Sequence, residues 1–302
     1  MAGSRRVGGS GDDSSESVRE ARVIRVSAGG EPPISRPDRL AVEEPLEIRV
    51  GAETLAVTMR TPGHDFDLAA GWLLAEGIVS RPDEIVRFEH CREVRSPEEE
   101  GNVVIVRATA PAGALNRARR MLVTTSSCGL CGKGSIESVH ANFPPVASDA
   151  AVRPSVLAGL PDTLREAQSA FSQTGGLHAA GIFTPDGALL AAREDVGRHN
   201  AVDKAIGHLF RGGRLPLPDG EGAILLVSGR ASFEIVQKAV AARIPVIAAV
   251  SAPSSLAVDL ARDSNVTLIG FLRNGSFNCY SGEERLAARE PARSGPAGSI
   301  PG

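Results

Sequence analysis

Two cysteines lie three positions apart in a glycine-rich stretch, SSCGLCGKG, that runs from Ser126 to Gly134. The thiolate is the reactive form of cysteine, and its pKa falls near cations and near a second cysteine in C-x-x-C spacing. Lys133 places a cation close to Cys128 and Cys131, and the glycines around them favour a mobile backbone. The pair could form a disulfide, supply half of a metal site, act as a redox couple or display a nucleophile on a flexible loop.

The rest of the chain weakens three of these possibilities. The first twenty residues lack the apolar core of a secretory signal, so we expect a cytoplasmic protein whose thiols stay reduced. Zinc would need two more ligands, and Cys91, Cys279 and His140 stand singly, so we expect no zinc. A thioredoxin-like pair would lie between a strand and a helix, whereas this pair follows a basic helix predicted for LNRARRML. The spacing alone leaves the chemistry open.

A second candidate is His178, in the stretch GGLHAAG just before a predicted strand. Such a histidine could act as a base or a ligand, although a hydrogen-bonded core residue is the more common role. Zinc deaminases place a glutamate two residues after their histidine and a proline before the C-x-x-C pair. Here Ala180 and Ser127 occupy those two positions, and the cysteines precede the histidine. We therefore do not expect deaminase chemistry.

The stretch EDVGRHN, residues 194–200, ends a predicted strand and opens a predicted helix. Asp195 and Asn200 could cap that helix. Five polar side chains in seven residues exceed what capping needs, so we predict a functional role for this junction. The sequence does not say which of Asp195, Arg198 and His199 carries that role.

The elements that must position these residues fall into successive parts. Residues 21–125 form a strand-rich N-terminal subdomain with one helix predicted for DFDLAAGWLLAEGI, and a mobile cysteine loop is predicted for 126–140. From 141 to 283 helices and strands alternate, which favours a largely parallel sheet covered by helices. The first helix of this part, VLAGLPDTLREAQSAF, is expected to break near Pro161.

Three of the later predicted strands end in small or polar residues, at 228–230 (SGR), 251–255 (SAPSS) and 271–276 (FLRNGS). In open α/β sheets, ligands bind in the crevice beyond the carboxyl ends of the strands. Arg230 and Arg273 could hold anionic oxygens there. Each segment by itself would suit an ordinary turn with a solvated arginine. Three such segments at one edge predict a pocket for a phosphorylated ligand.

Composition limits the function classes. The chain has 302 residues and a net charge of −3, so no basic field favours nucleic acid. A membrane span needs about 18 apolar residues, and the run from Ala239 to Ala252 contains Arg243 and Pro245, so we expect no membrane association. Residues 1–20 and 284–302 are rich in small and polar residues and are predicted to be a disordered arm and tail.

The chain from about Ala21 to Ser281 resembles the formate dehydrogenase accessory sulfurtransferase family (FdhD/NarQ), and six motifs carry the resemblance. In chain order they are TPGHDFDLAAGWLLAEGI, SSCGLCGKGSIE, GGLHAAG, REDVGRHNAVDKAIG, VSGRASFEIVQKA and PVIAAVSAPSSLAV. The resemblance implies a sulfur carrier that accepts sulfur from a cysteine desulfurase as a persulfide. It then passes this sulfur to the bis-molybdopterin guanine dinucleotide cofactor of the formate dehydrogenase catalytic subunit. It also implies a homodimer and a three-layer α/β fold similar to the cytidine deaminases, without their zinc.

The resemblance also assigns site residues. It places the persulfide at Cys128, while the role of Cys131, the second catalytic candidate, stays open. Its cofactor-contacting segment falls on Phe271, Leu272, Arg273, Asn274, Gly275 and Ser276. Gly229 and Arg230, at an earlier strand end, complete the predicted pocket for guanine nucleotide phosphates. A non-catalytic chaperone that only binds the cofactor or the apo-enzyme is the alternative function.

Overall fold

A computed structural model describes residues 17–92, 100–109, 139–140 and 142–286. Its strands are β1 (Val18–Arg25), β2 (Ile34–Ala41), β3 (Glu44–Val50), β4 (Glu53–Arg60), β5 (Ile85–His90), β6 (Val103–Ala108), β7 (His178–Phe183), β8 (Leu189–Asp195), β9 (Ile224–Val227), β10 (Val246–Ala249), β11 (Thr267–Arg273) and β12 (Ser276–Ser281). Its helices are α1 (Asp65–Ala75), α2 (Pro154–Glu166), α3 (Ser169–Thr174), α4 (Arg198–Arg211), α5 (Phe233–Ala241) and α6 (Ser255–Asp263).

The C-terminal sheet has the strand order β12-β11-β10-β9-β7-β8. The central strands β9, β10 and β11 are parallel neighbours, as expected for the segments AILLVS and PVIAAVS. The flanking strands β7 and β12 run antiparallel to them, so the sheet is mixed rather than largely parallel. The reason is local, because β7 and β8 are joined by a tight hairpin, and so are β11 and β12.

Side chains that alternate along β9 show that this sheet is covered on both faces. Leu225 and Val227 belong to a core shared with α4, α5 and α6, whereas Ile224 and Leu226 pack with α2. The result is a helix–sheet–helix arrangement, which confirms the predicted three-layer α/β core. None of the helices in the described ranges is both long and apolar enough to cross a bilayer.

The N-terminal part is strand-rich, as predicted. Its four-stranded sheet, in the order β4-β3-β6-β5, shares one hydrophobic core with α1, α4, α5 and α6. Helix α1 crosses α4 at two glycines. A Cβ atom on Gly71 would lie 2.0 Å from the carbonyl oxygen of Asp203, and one on Gly207 would lie 1.8 Å from that of Asp67. This backbone contact brings α1 against the middle of α4.

The predicted boundaries need small adjustments. Helix α2 continues through Pro161 to Glu166, so the expected break is wrong. The helix buries one continuous apolar stripe formed by Leu157, Leu160 and Leu164. This burial offsets the single backbone hydrogen bond that is lost at the proline. Strand β1 already begins at Val18, and a short 3-10 turn at Glu283–Arg285 lies near the end of the last described range. The predicted helix at LNRARRML, and most of the predicted cysteine loop, arm and tail, lie outside the described residues.

Candidate functional site at the carboxyl edge of the six-stranded sheet

The carboxyl ends of β9, β10 and β11 meet at one edge, here called the carboxyl edge. The amide of Ser251 donates to the carbonyl of Gly229 at 3.2 Å, and the amide of Phe271 donates to the carbonyl of Ser251 at 3.1 Å. The three predicted segments are therefore neighbours, with the end of β10 between the other two. Since β7 is antiparallel to β9, its first residue, His178, and the last residue of β8, Asp195, join the same edge.

Three helices also begin at the carboxyl edge. Helix α4 follows β8, α5 follows β9 and α6 follows β10, each after a short turn. Backbone amides at a helix N-terminus lack partners within the helix and carry partial positive charge. Converging N-termini therefore favour an anionic ligand at this edge.

Three arginines add formal positive charge. Arg230 and Arg273 are exposed, and Arg198 is half-buried. None of the three has an ion pair with a carboxylate of the described residues. The guanidinium carbon of Arg273 lies 5.7 Å from the ring centre of Phe271. The Nε atom of Arg198 is buried without a hydrogen-bond partner in the described part of the chain. The edge thus holds guanidinium donors that are free to bind an anion.

The segment 271–276 is a β-hairpin rather than a strand followed by a loop. Arg273 pairs with Ser276, and Asn274 and Gly275 form the two-residue turn with φ values of 52° and 73°, the positive range that such turns require. The side chain of Leu272 is fully buried. Of this predicted ligand segment, Leu272 can therefore offer only its backbone to a ligand.

The junction 194–200 divides between structural and free groups. Glu194 accepts hydrogen bonds from the amides of Ala170 and Phe171, at 2.9 and 2.7 Å, and so caps α3. Asp195 accepts from the amide of Gly197 at 2.8 Å. Asn200 donates to the carbonyl of Met59 at 2.7 Å and to Asp195 at 3.1 Å. The remaining polar side chains, Arg198 and His199, face the carboxyl edge.

A buried ion pair anchors this junction. Lys204 Nζ lies 2.7 Å from Asp195 Oδ2 and donates to the carbonyl of Thr61 at 2.7 Å, while the amide of Thr61 donates to Asp195 at 3.2 Å. The pair fixes the end of β4 to the first turns of α4. Sequence reasoning missed Lys204; the available signal was a lysine inside the apolar helix pattern AVDKAIGHLF.

Two histidines at the edge are held in the neutral form. Burial and the adjacent Arg198 lower the pKa of His199 to about 4, and the same two causes lower the pKa of His178. His199 Nε2 lies 3.0 Å from Ser232 Oγ and 3.7 Å from the Glu234 carboxylate. At neutral pH these imidazoles do not add to the positive charge of the arginines.

A cleft of about 350 Å³ adjoins the carboxyl edge. It lies between the edge strand β4, helix α1 and the first turns of α4 and α5, and His199 and Glu234 contribute to its lining. Sequence reasoning did not predict this cleft, because most of the elements that line it are distant from one another in the chain.

The two candidate cysteines are not among the residues that the structure describes. Cys128 and Cys131 lie outside the described residues, so their assignment stays a prediction. Cys279 is a free thiol, and burial raises its pKa, which lowers the fraction present as thiolate at neutral pH. In the ranges that the structure describes, no three His, Cys, Asp or Glu residues are grouped so that they could hold a metal ion.

Comparisons with known proteins agree with this architecture. A model of the FdhD/NarQ family matches residues 41–287. A Streptomyces avermitilis protein named sulfur carrier protein FdhD is 52% identical over 284 residues, covering 91% of this chain and 97% of its own. A Nocardia farcinica protein of the same name is 52% identical over 271 residues, covering 88% and 93%. A crystal structure from Desulfotalea psychrophila, named as a formate dehydrogenase accessory protein, has a TM-score of 0.69 at 22% identity, covering 89% of this chain and 99% of that chain. The likeness to that structure concerns the fold alone.

Proposed function

Because the chain belongs to the FdhD/NarQ family, we propose that it is a sulfur carrier whose Cys128 accepts sulfur from a cysteine desulfurase as a persulfide. It transfers that sulfur to a bis-molybdopterin guanine dinucleotide before the cofactor enters the catalytic subunit of formate dehydrogenase. The relatives at about half identity carry the name sulfur carrier protein FdhD. Within this proposal the cofactor is the substrate, and the carrier works in the cytoplasm as a homodimer.

The observation that carries the proposal is the positive charge of the carboxyl edge. Arg198, Arg230 and Arg273 form no ion pair with a carboxylate of the described residues, although the charge of Arg198 contributes to the lowered pKa of Glu234, and three helix N-termini point at the same place. Such an edge suits the pyrophosphate groups of a dinucleotide cofactor better than an uncharged substrate.

The loading step is a thiol–persulfide exchange. The Cys128 thiolate attacks the outer sulfur of the desulfurase persulfide, a new S–S bond forms on Cys128, and the S–S bond of the donor breaks. The electron pair leaves with the desulfurase cysteine as a thiolate, so no external oxidant or reductant is required. Lys133, close in sequence, would favour the thiolate form of the attacking cysteine.

Mass spectrometry separates this proposal from the chaperone alternative. After incubation with a cysteine desulfurase and cysteine, the protein is expected to gain one sulfur atom on the peptide that contains Cys128. The variant Cys128→Ala should gain none and should keep its unfolding midpoint, whereas Cys131→Ala, the matched control, should still be loaded. Loading of Cys128→Ala with loss in Cys131→Ala would reverse the assignment, and an unmodified wild-type protein would favour a non-catalytic chaperone.

A further inference from the structure

The cleft beside the carboxyl edge, here called the β4 cleft, contains apolar side chains in its lining. Its apolar lining includes Ile48, Ala56, Leu68 and the indole of Trp72. Its volume of about 350 Å³ lies at the small end of the range for small-molecule sites. The cleft can therefore accept one aromatic ring system rather than a large ligand.

Several polar groups that line the β4 cleft are already engaged with each other. Lys238 Nζ lies 2.8 Å from each carboxylate oxygen of Asp203. The Asn200 amide donates to the Met59 carbonyl and to Asp195, and its oxygen accepts from Thr58. Breaking these bonds inside the cleft would leave buried groups without partners, which is costly. None of these groups is available to recognise a ligand.

Two acceptors in the same cleft are available. The carboxylate of Glu76, a half-buried residue at the end of α1, makes no hydrogen bond or ion pair with the described residues, and its backbone amide donates to the Trp72 carbonyl. Gln237, on α5, donates its amide nitrogen to the Ala75 carbonyl at 3.1 Å, which leaves the amide oxygen as an acceptor. Burial raises the pKa of Glu76, and the positive charge of Lys238 opposes that rise. A carboxylate in this position gains stability from a ligand that donates hydrogen bonds to it.

The groups of the β4 cleft that are available to a ligand, Glu76 and the amide oxygen of Gln237, accept hydrogen bonds. The ammonium of Lys238 is paired with Asp203. A phosphate or carboxylate would be repelled there, whereas a flat ring with two adjacent N–H donors would satisfy both oxygens of Glu76 in parallel. Guanine and pterin share such an edge, the ring N–H beside the amino group of a 2-amino-4-oxopyrimidine. Adenine and cytosine place an acceptor beside their amino group, which would face a carboxylate oxygen.

We propose that the β4 cleft binds a 2-amino-4-oxopyrimidine ring, with the Glu76 carboxylate accepting from its ring N–H and its amino group. The choice of this ring rests on the proposed function, because the cofactor proposed above contains guanine and pterin. His199 lines the cleft and follows Arg198 of the carboxyl edge directly in the chain. A nucleotide with its phosphates at the edge can therefore reach the cleft with its base.

Calorimetric titration with phosphate-free probes tests the proposal. Guanosine is compared with inosine, which lacks the amino group, and pterin with lumazine, which carries an oxo group in its place. In the wild-type protein at least one amino compound should bind about tenfold or more tightly than its partner, since a hydrogen bond to a charged group contributes about 1.5–3 kcal/mol. Preference within the purine pair identifies guanine as the occupant, and preference within the pteridine pair identifies pterin.

In the variant Glu76→Gln, the amino compound and its partner should bind about equally tightly. The reason is that an amide offers one acceptor and one donor to the two donors of the ring. Glu166→Gln is the control; Glu166 is exposed at the end of α2, which packs on the opposite face of the six-stranded sheet from α4 and α5, so the preference should survive. Absence of preference in both pairs, or the same preference in Glu76→Gln, overturns the proposal. Guanosine has no phosphate and needs neither Cys128 nor Arg230, so this test can fail while sulfur loading and nucleotide binding succeed.

Discussion

The ammonium of Lys204 lies 2.7 Å from a carboxylate oxygen of Asp195, and the two side chains are only 1% and 0% exposed. Replacing Lys204 by methionine would keep most of its volume and leave the carboxylate without its cation. We expect Lys204→Met to lower the free energy of unfolding by about 3 kcal/mol or more, as measured by urea unfolding.

The double variant Asp195→Asn with Lys204→Met provides the control for that measurement. It removes both charges, so it should cost clearly less than the sum of the two single changes. Additive losses would mean that the two charges do not interact. A single-variant loss below about 1 kcal/mol would show that the hydrogen bonds from Thr61, Gly197 and Asn200 are sufficient for Asp195.

The crossing of α1 and α4 gives a second prediction. Gly71→Ala and Gly207→Ala would each place a methyl group within 2.0 Å of a backbone oxygen of the facing helix. Each should cost about 3 kcal/mol or more in thermal or urea unfolding, because the helices must move apart. Gly159→Ala on α2 is the matched control: no atom lies within 4 Å of the added carbon, so the higher helix propensity of alanine should stabilise the protein by up to about 1 kcal/mol. Equal effects at Gly71 and Gly159 would contradict the close crossing.

Sequence reasoning located the strand ends of the carboxyl edge but not the groups that organise it. The strands AILLVS and PVIAAVS are short apolar runs bounded by turn residues, and the stripe of α4 has a clear helical period, so local pattern was sufficient. Lys204, Glu76 and Trp72 act through contacts with elements far away in the chain, which no local pattern encodes. Strand β12 was missed although its Asn274-Gly275 dipeptide is a strong hairpin signal.

The low pKa of His199 predicts a pH dependence of stability. In the unfolded chain its pKa is about 6.5 and in the folded protein about 4, so between these values the unfolded state binds more protons. Stability contributed by neutral His199 is therefore present above pH 6.5 and is lost as the pH falls toward 4. Allowing for solvent screening of this partly exposed ring, the loss between pH 7 and pH 5 should be about 1 kcal/mol.

Two measurements check this expectation. Proton NMR of the imidazole should give a titration midpoint near 4 rather than 6.5. Urea unfolding of His199→Gln at pH 7 and pH 5 should show a smaller decrease in stability than the wild type shows, which isolates this ring from nearby Glu234, His178 and Lys238. A midpoint at the ordinary value, or identical pH dependence in the variant, would mean that the ring is solvated.

The last prediction concerns the arginines of the carboxyl edge. Arg230 and Arg273 stand on strand ends separated by the end of β10, and each can offer a planar pair of donors to phosphate oxygens. Because a charge-assisted hydrogen bond contributes about 1.5–3 kcal/mol, Arg230→Ala and Arg273→Ala should each weaken binding of GDP, a fragment of the proposed substrate, by about ten- to a hundredfold in calorimetric titration. Arg262→Ala is the control, since Arg262 lies in the last turn of α6, away from the carboxyl edge, and its loss removes the same charge. If both edge variants bind GDP as tightly as Arg262→Ala does, the loss of one positive charge accounts for any decrease in affinity that the three variants share. The phosphates of GDP would then bind elsewhere.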